Sequence, residues 1–376
     1  PHVLADDTRR ALGRLAAAWR ARFDLPVVAL TGSNGKTTVK EMIAAILAAH
    51  AGGREPVLAT RGNLNNDIGL PLTLLGLRAH HRFAVLEMGM NHAGEIDYLT
   101  RLAAPGVALV NNAQRAHVGL LGTVEAIARA KGEIYGGLAA GGTALVNADD
   151  PHARQWLALN AGRTVVTFGT AEGADVGGRI GPGAVRLRLG KAAIDVALKV
   201  PGEHNARNAI AAAAVAHALG VAPAAIREGL ESFAGAEGRL QARRGAGGAV
   251  VIDDTYNANP DSLRAAIRVL ASTGGRRVLA LGDMGELGDA APQLHAEIGA
   301  YARECGVHRL LGLGEQSARA VEAFGEGGRH FATAEALVEA ARAEAREGTT
   351  ILVKGSRFMR MERVAEALAP GSVDAA

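Results

Sequence analysis

The sequence predicts an α/β protein in two parts, a larger domain on a mostly parallel sheet and a smaller, doubly wound domain after it. Three observations carry this. Short apolar runs alternate with helical stretches, the pattern of a parallel sheet covered on both faces. The rhythm breaks once, between Asp175 and Val200, where strict apolar/polar alternation replaces it. It resumes after a Gly- and Arg-rich segment, Gly235 to Gly248, whose start marks a domain boundary.

Taken in order, Asp7 to Arg22 reads as an amphipathic helix with Leu12, Leu15 and Trp19 on one face and Thr8 as its cap. Pro26 opens a strand, Val27 to Leu30, and a helix runs from Thr37 to about His50. Phe83 to Leu86 and Val107 to Val110 are apolar strands ending at Glu87 and Asn111. Thr123 to Leu138 reads as helix and Thr143 to Val146 as strand. Val185, Leu187 and Leu189, then Ile194, Val196 and Leu198, form a hairpin turned at Gly190-Lys191. Helices follow from Asn205 to Leu219 and Pro223 to Ser232. Beyond the boundary, strands are expected at Ala249 to Ile252, Arg277 to Leu281, Arg309 to Leu311 and Thr350 to Val353, with helices between. The expected division is a linker helix over 1–24, a central domain over 25–235 and a C-terminal domain over 236–376.

At 376 residues the chain exceeds one ordinary core. With 48% hydrophobic and 21% charged residues it is globular, not disordered. A net charge of +3, with no basic run interleaved with aromatics, argues against a nucleic-acid partner. The single cysteine, Cys305, excludes an internal disulfide, fits a reducing cytosol and is expected to serve packing. The most apolar run, Ala209 to Leu219, is too short for a membrane span. Asp6, Asp7, Arg9 and Arg10 stand where a secretory leader would turn apolar, so a cytoplasmic location is expected. Because the chain begins at Pro1, a fragment of a longer protein is expected.

The strongest motif is Thr31-Gly32-Ser33-Asn34-Gly35-Lys36-Thr37-Thr38, placed between a strand and a helix. There, backbone N–H groups and the helix N-terminus can surround phosphate oxygens. Lys36 supplies a charge for the terminal phosphates and the Thr37 hydroxyl a ligand for Mg²⁺. The general phosphate loop has a Gly five positions before the Gly of Gly-Lys; here that position is Leu30, so the loop is a shorter variant. The motif implies nucleotide binding and no particular reaction. Glu87 ends an apolar strand, where an acidic residue can hold Mg²⁺ opposite the loop. The alternative for Glu87 is a solvated carboxylate, for His117 a surface histidine, and for Lys131 an exposed helix lysine. Asn205 and Asn208, three apart, share a helix face, and Asn205 can serve as an N-cap.

Several further segments carry a resemblance. They are Gly62-Asn63-Leu64-Asn65-Asn66-Asp67-Ile68-Gly69, Glu87-Met88-Gly89-Met90-Asn91-His92, Asn147-Ala148-Asp149-Asp150, Pro201-Gly202-Glu203-His204-Asn205-Ala206-Arg207-Asn208, Asp253-Asp254-Thr255-Tyr256-Asn257-Ala258-Asn259-Pro260, Gly282-Asp283-Met284-Gly285-Glu286-Leu287-Gly288 and Lys354-Gly355-Ser356-Arg357. With the phosphate loop and in this order, they resemble the Mur ligases, on the branch that adds D-alanyl-D-alanine to a UDP-N-acetylmuramoyl tripeptide. Another ligase of the superfamily, either folylpolyglutamate synthetase, a relative of the Mur ligases, or a Mur ligase adding a different residue, and a non-catalytic ATP-binding fragment are the other readings.

The resemblance implies a central P-loop-type ATPase domain, a C-terminal Rossmann-like domain and the absence of the family's N-terminal UDP-binding domain. It implies an ADP-forming peptide ligase of cell-wall synthesis, using ATP and two Mg²⁺ ions. A carboxylate attacks the γ-phosphate, giving an acyl phosphate that the incoming amine displaces, while closure of the two domains excludes water. By the same resemblance, Lys36, His117, Lys131 and Arg239 are catalytic. Gly32, Ser33, Asn34, Gly35, Lys36, Thr37, Thr38, Asn205, Asn208, Arg239 and Asp283 bind ATP. Thr37, Glu87, His117 and a carbamylated Lys131 serve the metals. Asn65, Asn66, Tyr256, Asn257, Lys354 and Ser356 face the substrates. Partners are then small molecules, with no membrane span, and a monomer is expected.

Overall fold

The computed structural model describes residues 4–370. The chain forms two compact units, one of residues 4–114, 121–199 and 204–233, the other of residues 115–120, 200–203 and 234–370.

The first unit is built on β1 (Val27–Thr31), β2 (Val57–Ala59), β3 (Phe83–Glu87), β4 (Val107–Val110), β5 (Thr143–Asn147), β6 (Thr164–Gly169), β7 (Val176–Gly181), β8 (Ala184–Leu189) and β9 (Ala192–Ala197), in the sheet order β2-β3-β1-β4-β5-β6-β7-β8-β9. Pairing is parallel through β7 and antiparallel from β7 to β9. Every residue of β1, β3 and β4 is buried, which is why these strands read as unbroken apolar runs. Since β1 lies between β3 and β4, their carboxyl ends meet where the connections reverse direction, the usual position of a ligand crevice.

In β8 and β9, Val185, Leu187, Leu189, Ile194 and Val196 are buried while Arg186, Arg188 and Asp195 are exposed. The turn is Gly190-Lys191, with Gly190 at φ 59°. Sequence reading missed β7, because Gly177, Gly178 and Gly181 mask its alternation. Gly178 is required by a close approach: a Cβ there would lie 2.3 Å from Ile210 Cδ1.

The second unit has β10 (Gln241–Arg244), β11 (Val250–Asp254), β12 (Arg276–Gly282), β13 (Arg309–Leu313), β14 (Gly328–Phe331) and β15 (Thr349–Lys354), in the order β10-β11-β15-β12-β13-β14. Only β10 is antiparallel to its neighbour. Successive side chains point to opposite faces. Leu279, Leu281, Leu310 and Leu352 therefore enter one core, and Val278, Ala280, Leu311 and Ile351 the other. Cys305 packs, partly buried, against the first of these.

Four local expectations are corrected. The first helix is Thr8–Arg20 and is capped by Asp7, whose carboxylate accepts from Arg10 N–H at 2.9 Å. Asp7 can do this because its backbone is extended, whereas Thr8 is already helical. Leu15 is 59% exposed; Gly13 and Ala16 make the buried stripe instead. The helix expected to Leu138 ends at Gly132 and continues as a 3₁₀ turn, Glu133–Gly137, since Gly136 and Gly137 weaken the α pattern. β11 begins at Val250, not Ala249.

Candidate active site

The phosphate loop is short because β1 runs through Thr31 and the next helix starts at Lys36. Gly35, at φ 79°, makes the turn into that helix. A Cβ at Gly35 would also lie 2.4 Å from Asn208 Oδ1 and 2.8 Å from Asn111 Nδ2, so only glycine fits. The Lys36 ammonium donates to Gly32 O at 2.8 Å, folding back over the loop.

The Thr37 hydroxyl and Glu87 meet at the ends of their elements. Thr37 Oγ1 donates to Glu87 Oε2 at 3.0 Å, and Asn65 Nδ2 donates to Glu87 Oε1 at 2.9 Å. Glu87 is buried, and its N–H donates to Thr60 Oγ1 at 3.0 Å. The carbonyl of Thr60 accepts from the buried Lys40 ammonium at 2.6 Å. Adjacent ligands of an octahedral Mg²⁺ bound at roughly 2.1 Å lie about 3.0 Å apart, so the Thr37 and Glu87 oxygens fit this ion in type and spacing. Among the described residues no three His, Cys, Asp or Glu side chains form a metal cage. Mg²⁺ commonly takes its remaining ligands from phosphate and water.

Lys131 is buried, not an exposed helix lysine. Its helix, Val124–Gly132, is held at the Ala128 carbonyl by the Trp156 indole N–H at 3.0 Å. Burial holds its amine well below the usual lysine range, and the charge of Lys36 lowers it further. Its surroundings therefore favour the neutral amine.

Asn205 and Asn208 lie in the helix Glu203–Ala218, both buried. Asn111 Nδ2 donates to Asn208 Oδ1 at 3.1 Å and to Asn34 O at 2.9 Å, so it links the two motifs. Asn66 Oδ1 accepts from Gly69 N at 2.8 Å and starts the helix Gly69–Leu75. Asp149 pairs with Arg207 at 2.7 Å and accepts from Thr170 and Ala171 N–H. Sequence reading gave no role to Lys40, Thr60, Asn111, Asn112, Gln114 or the Asp149–Arg207 pair. The only signal for Asn111 and Asn112 was two amides directly after an apolar strand.

The remaining candidates belong to the second unit. The Arg239 guanidinium stacks over the Tyr256 ring, 4.2 Å from its centroid. Lys354 is buried, paired with Asp254 Oδ2 at 2.6 Å and donating to Asn257 O at 2.8 Å. Burial lowers its pKa, partly opposed by Asp254. Ser356 Oγ donates to Ala258 O at 3.0 Å and accepts from Gly285 N at 2.8 Å. The two Asp283 oxygens accept from Ser317 and Gln316 N–H at 2.7 and 3.1 Å, capping the helix Ser317–Phe324. His117 is grouped with this unit. Its Nδ1 lies 2.6 Å from Glu286 Oε2, and both residues have a left-handed backbone (φ 64° and 62°), uncommon outside glycine.

Comparison with known proteins gives this arrangement a family. The Mur ligase middle domain matches residues 30–216, and the Mur ligase, glutamate ligase domain matches residues 238–357. The UDP-N-acetylmuramoyl-tripeptide–D-alanyl-D-alanine ligase of Escherichia coli K12 is 42% identical, over 98% of this chain and 82% of its own length. A crystal structure of MurF from Acinetobacter baumannii superposes with a TM-score of 0.89 at 39% identity, covering 96% of this chain and 80% of that one. The MurF ligase of Thermotoga maritima, solved in complex with ADP, does so with a TM-score of 0.84 at 28% identity, over 97% and 84%. This chain belongs to the Mur ligase family, among the UDP-N-acetylmuramoyl-tripeptide–D-alanyl-D-alanine ligases.

Proposed function

We propose that this chain joins D-alanyl-D-alanine to a UDP-N-acetylmuramoyl tripeptide in peptidoglycan synthesis, converting ATP to ADP and phosphate. The observation that carries the chemistry is the phosphate loop with the Thr37–Glu87 oxygen pair at its mouth. A carboxylate oxygen of the tripeptide attacks the γ-phosphorus and ADP departs. The amine of D-alanyl-D-alanine then adds to the acyl phosphate carbon, loses a proton and expels phosphate. Both steps bring anions or lone pairs towards charged phosphate, so cations are needed.

Lys36 supplies one such charge, and Asn205 and Asn208 face the base. Thr37 and Glu87 would hold Mg²⁺, which neutralises phosphate charge when bound. The neutral amine of Lys131 suits carbamylation: its nitrogen bonds to the carbon of carbon dioxide and gives up a proton. The resulting carbamate would turn that neutral amine into an anion near Lys36, able to serve a second Mg²⁺. His117 offers an imidazole nitrogen to a cation. Arg239, stacked on Tyr256, offers a guanidinium to an anion. Asn65 and Asn66, and in the other unit Asn257, Lys354 and Ser356, are assigned to the substrates, and Asp283 to the ATP side.

No helix among the described residues is long and apolar enough to cross a membrane. Dependence on ATP supports a cytoplasmic reaction, and supply of all candidate residues by one chain supports a monomer as the working unit. The test is to incubate the chain with Mg·ATP, the UDP-linked tripeptide and either D-alanyl-D-alanine, L-glutamate or diaminopimelate. ADP release and the product mass are then followed. A UDP-linked pentapeptide formed only with D-alanyl-D-alanine is expected. Turnover with another amine and not with this dipeptide would overturn the assignment.

A further inference from the structure

The loop's departure from the longer phosphate loop raises a structural problem. Leu30, where a glycine would stand, is a fully buried strand residue, so only Gly32 to Gly35 separate the strand from the helix. So short a loop has few groups of its own with which to fix the direction of its peptide groups. In this chain the segment after β4 does so.

Asn34 is held on several sides. Its N–H donates to Asn112 Oδ1 at 2.9 Å, and its carbonyl accepts from Asn112 Nδ2 at 3.0 Å. Asn112 thus pairs with both backbone groups of one residue, and so with the two peptide units on either side of it, as a neighbouring strand would. The same carbonyl accepts from Asn111 Nδ2 at 2.9 Å, and the Asn34 side-chain amide donates to Gln114 Oε1 at 2.6 Å. Ser33 is fixed in parallel. Its N–H donates to Asn112 O at 3.0 Å, its hydroxyl donates to Gln114 O at 3.0 Å, and that hydroxyl accepts from Gln114 N–H at 2.8 Å.

We propose that Asn112 is a positioning residue for the nucleotide phosphates, acting through Asn34 to supply from outside the loop the rigidity that a longer loop builds within itself. Gln114 supports it through the Asn34 side chain. Neither residue need touch the nucleotide. Their effect is to set the Asn34–Gly35 peptide, and with it the turn that aims the helix N-terminus at an anion. Asn111, which also reaches Asn208, would tie that turn to the base side. The inference rests on the nucleotide-binding part of the proposed function and is independent of which amine is joined.

The experiment compares Asn112→Ala, Asn112→Leu and Gln114→Ala with the unaltered chain, by calorimetric titration with ADP and, separately, adenosine. Circular dichroism confirms that each variant is folded. Adenosine lacks phosphate, so its affinity reports the base side alone. We expect ADP affinity to fall at least tenfold in both Asn112 variants and by less in Gln114→Ala, with adenosine affinity within about twofold of the unaltered chain. If folded Asn112 variants bind ADP as the unaltered chain does, or lose ADP and adenosine in equal proportion, the proposal is overturned. Binding of ADP by the unaltered chain, without ligation of D-alanyl-D-alanine, would count against the proposed reaction and leave the phosphate-positioning test intact.

Discussion

Thr37 Oγ1 donates to Glu87 Oε2 at 3.0 Å, joining the first turn of the phosphate-loop helix to the end of β3. Glu87→Gln keeps the shape and an oxygen but removes the charge, so it should weaken the response to Mg²⁺ more than the binding of free nucleotide. The expected loss in kcat is on the order of 10²-fold. A Mg²⁺ titration of ADP release checks it. An unchanged Mg²⁺ requirement with normal turnover would remove Glu87 from the cation site.

Lys131 should destabilise the fold while it is unmodified. Its folded pKa lies below the ordinary 10.5. Its contribution is therefore present in full above 10.5 and lost as pH falls through the folded value. At neutral pH without bicarbonate, Lys131→Met should raise stability by on the order of 1 kcal/mol or more, while abolishing ligation. Bicarbonate should raise the melting temperature of the unaltered chain and not that of the variant. An equal response of both would argue against carbamylation.

His295 braces the loop that follows β12. Its Nε2 accepts from the Met284 N–H at 2.9 Å and its Nδ1 donates to the Ala291 carbonyl at 2.7 Å, which requires the neutral ring. Burial lowers its pKa from the ordinary 6.5, only partly offset by the Ala291 hydrogen bond and the charge of Asp283. Its contribution is thus complete above pH 6.5 and lost as pH falls through the folded value. His295→Phe strands the Met284 N–H and should cost about 1–3 kcal/mol at pH 8. The variant should also lose this limb of the stability–pH curve, measured by urea denaturation.

Lys354 and Asp254 form a buried pair at 2.6 Å. Lys354→Met leaves Asp254 without its cation and should cost about 3–5 kcal/mol. Lys354→Met with Asp254→Leu should recover most of that loss but not ligation. Denaturation and activity assays separate the two effects; recovered activity in the double variant would show that the lysine is structural alone.

The parts of this fold legible in the sequence were those with a strong local pattern. β1, β3 and β4 are buried on both faces and so read as unbroken apolar runs. The β8–β9 hairpin announced itself through Arg186 and Arg188 alternating with leucines and valine. β7 did not, because three glycines interrupt its alternation, and one of them, Gly178, is set by Ile210, a residue distant in the chain. The phosphate loop was legible because its chemistry is contiguous. The clamp on Asn34 was not: Asn112 and Gln114 meet it through sheet pairing, and amides carry no charge pattern to flag them. Lys131 is buried although its helix carries charged residues, and the 3.6-residue period cannot report what packs around it.

The position of β1 between β3 and β4 also bears on how the protein is made. Thr37 and Glu87 are 50 residues apart, and Asn34 and Asn112 are 78 apart. Neither meeting is possible until strands distant in sequence have paired, and such non-local parallel pairing is a slow event in folding. During synthesis the nucleotide site cannot exist until Gln114 has left the ribosome, however early the phosphate-loop helix forms. A nascent chain shorter than this carries the whole loop motif in a form without its clamp, and the ability to hold ATP should arise late and abruptly as the chain lengthens.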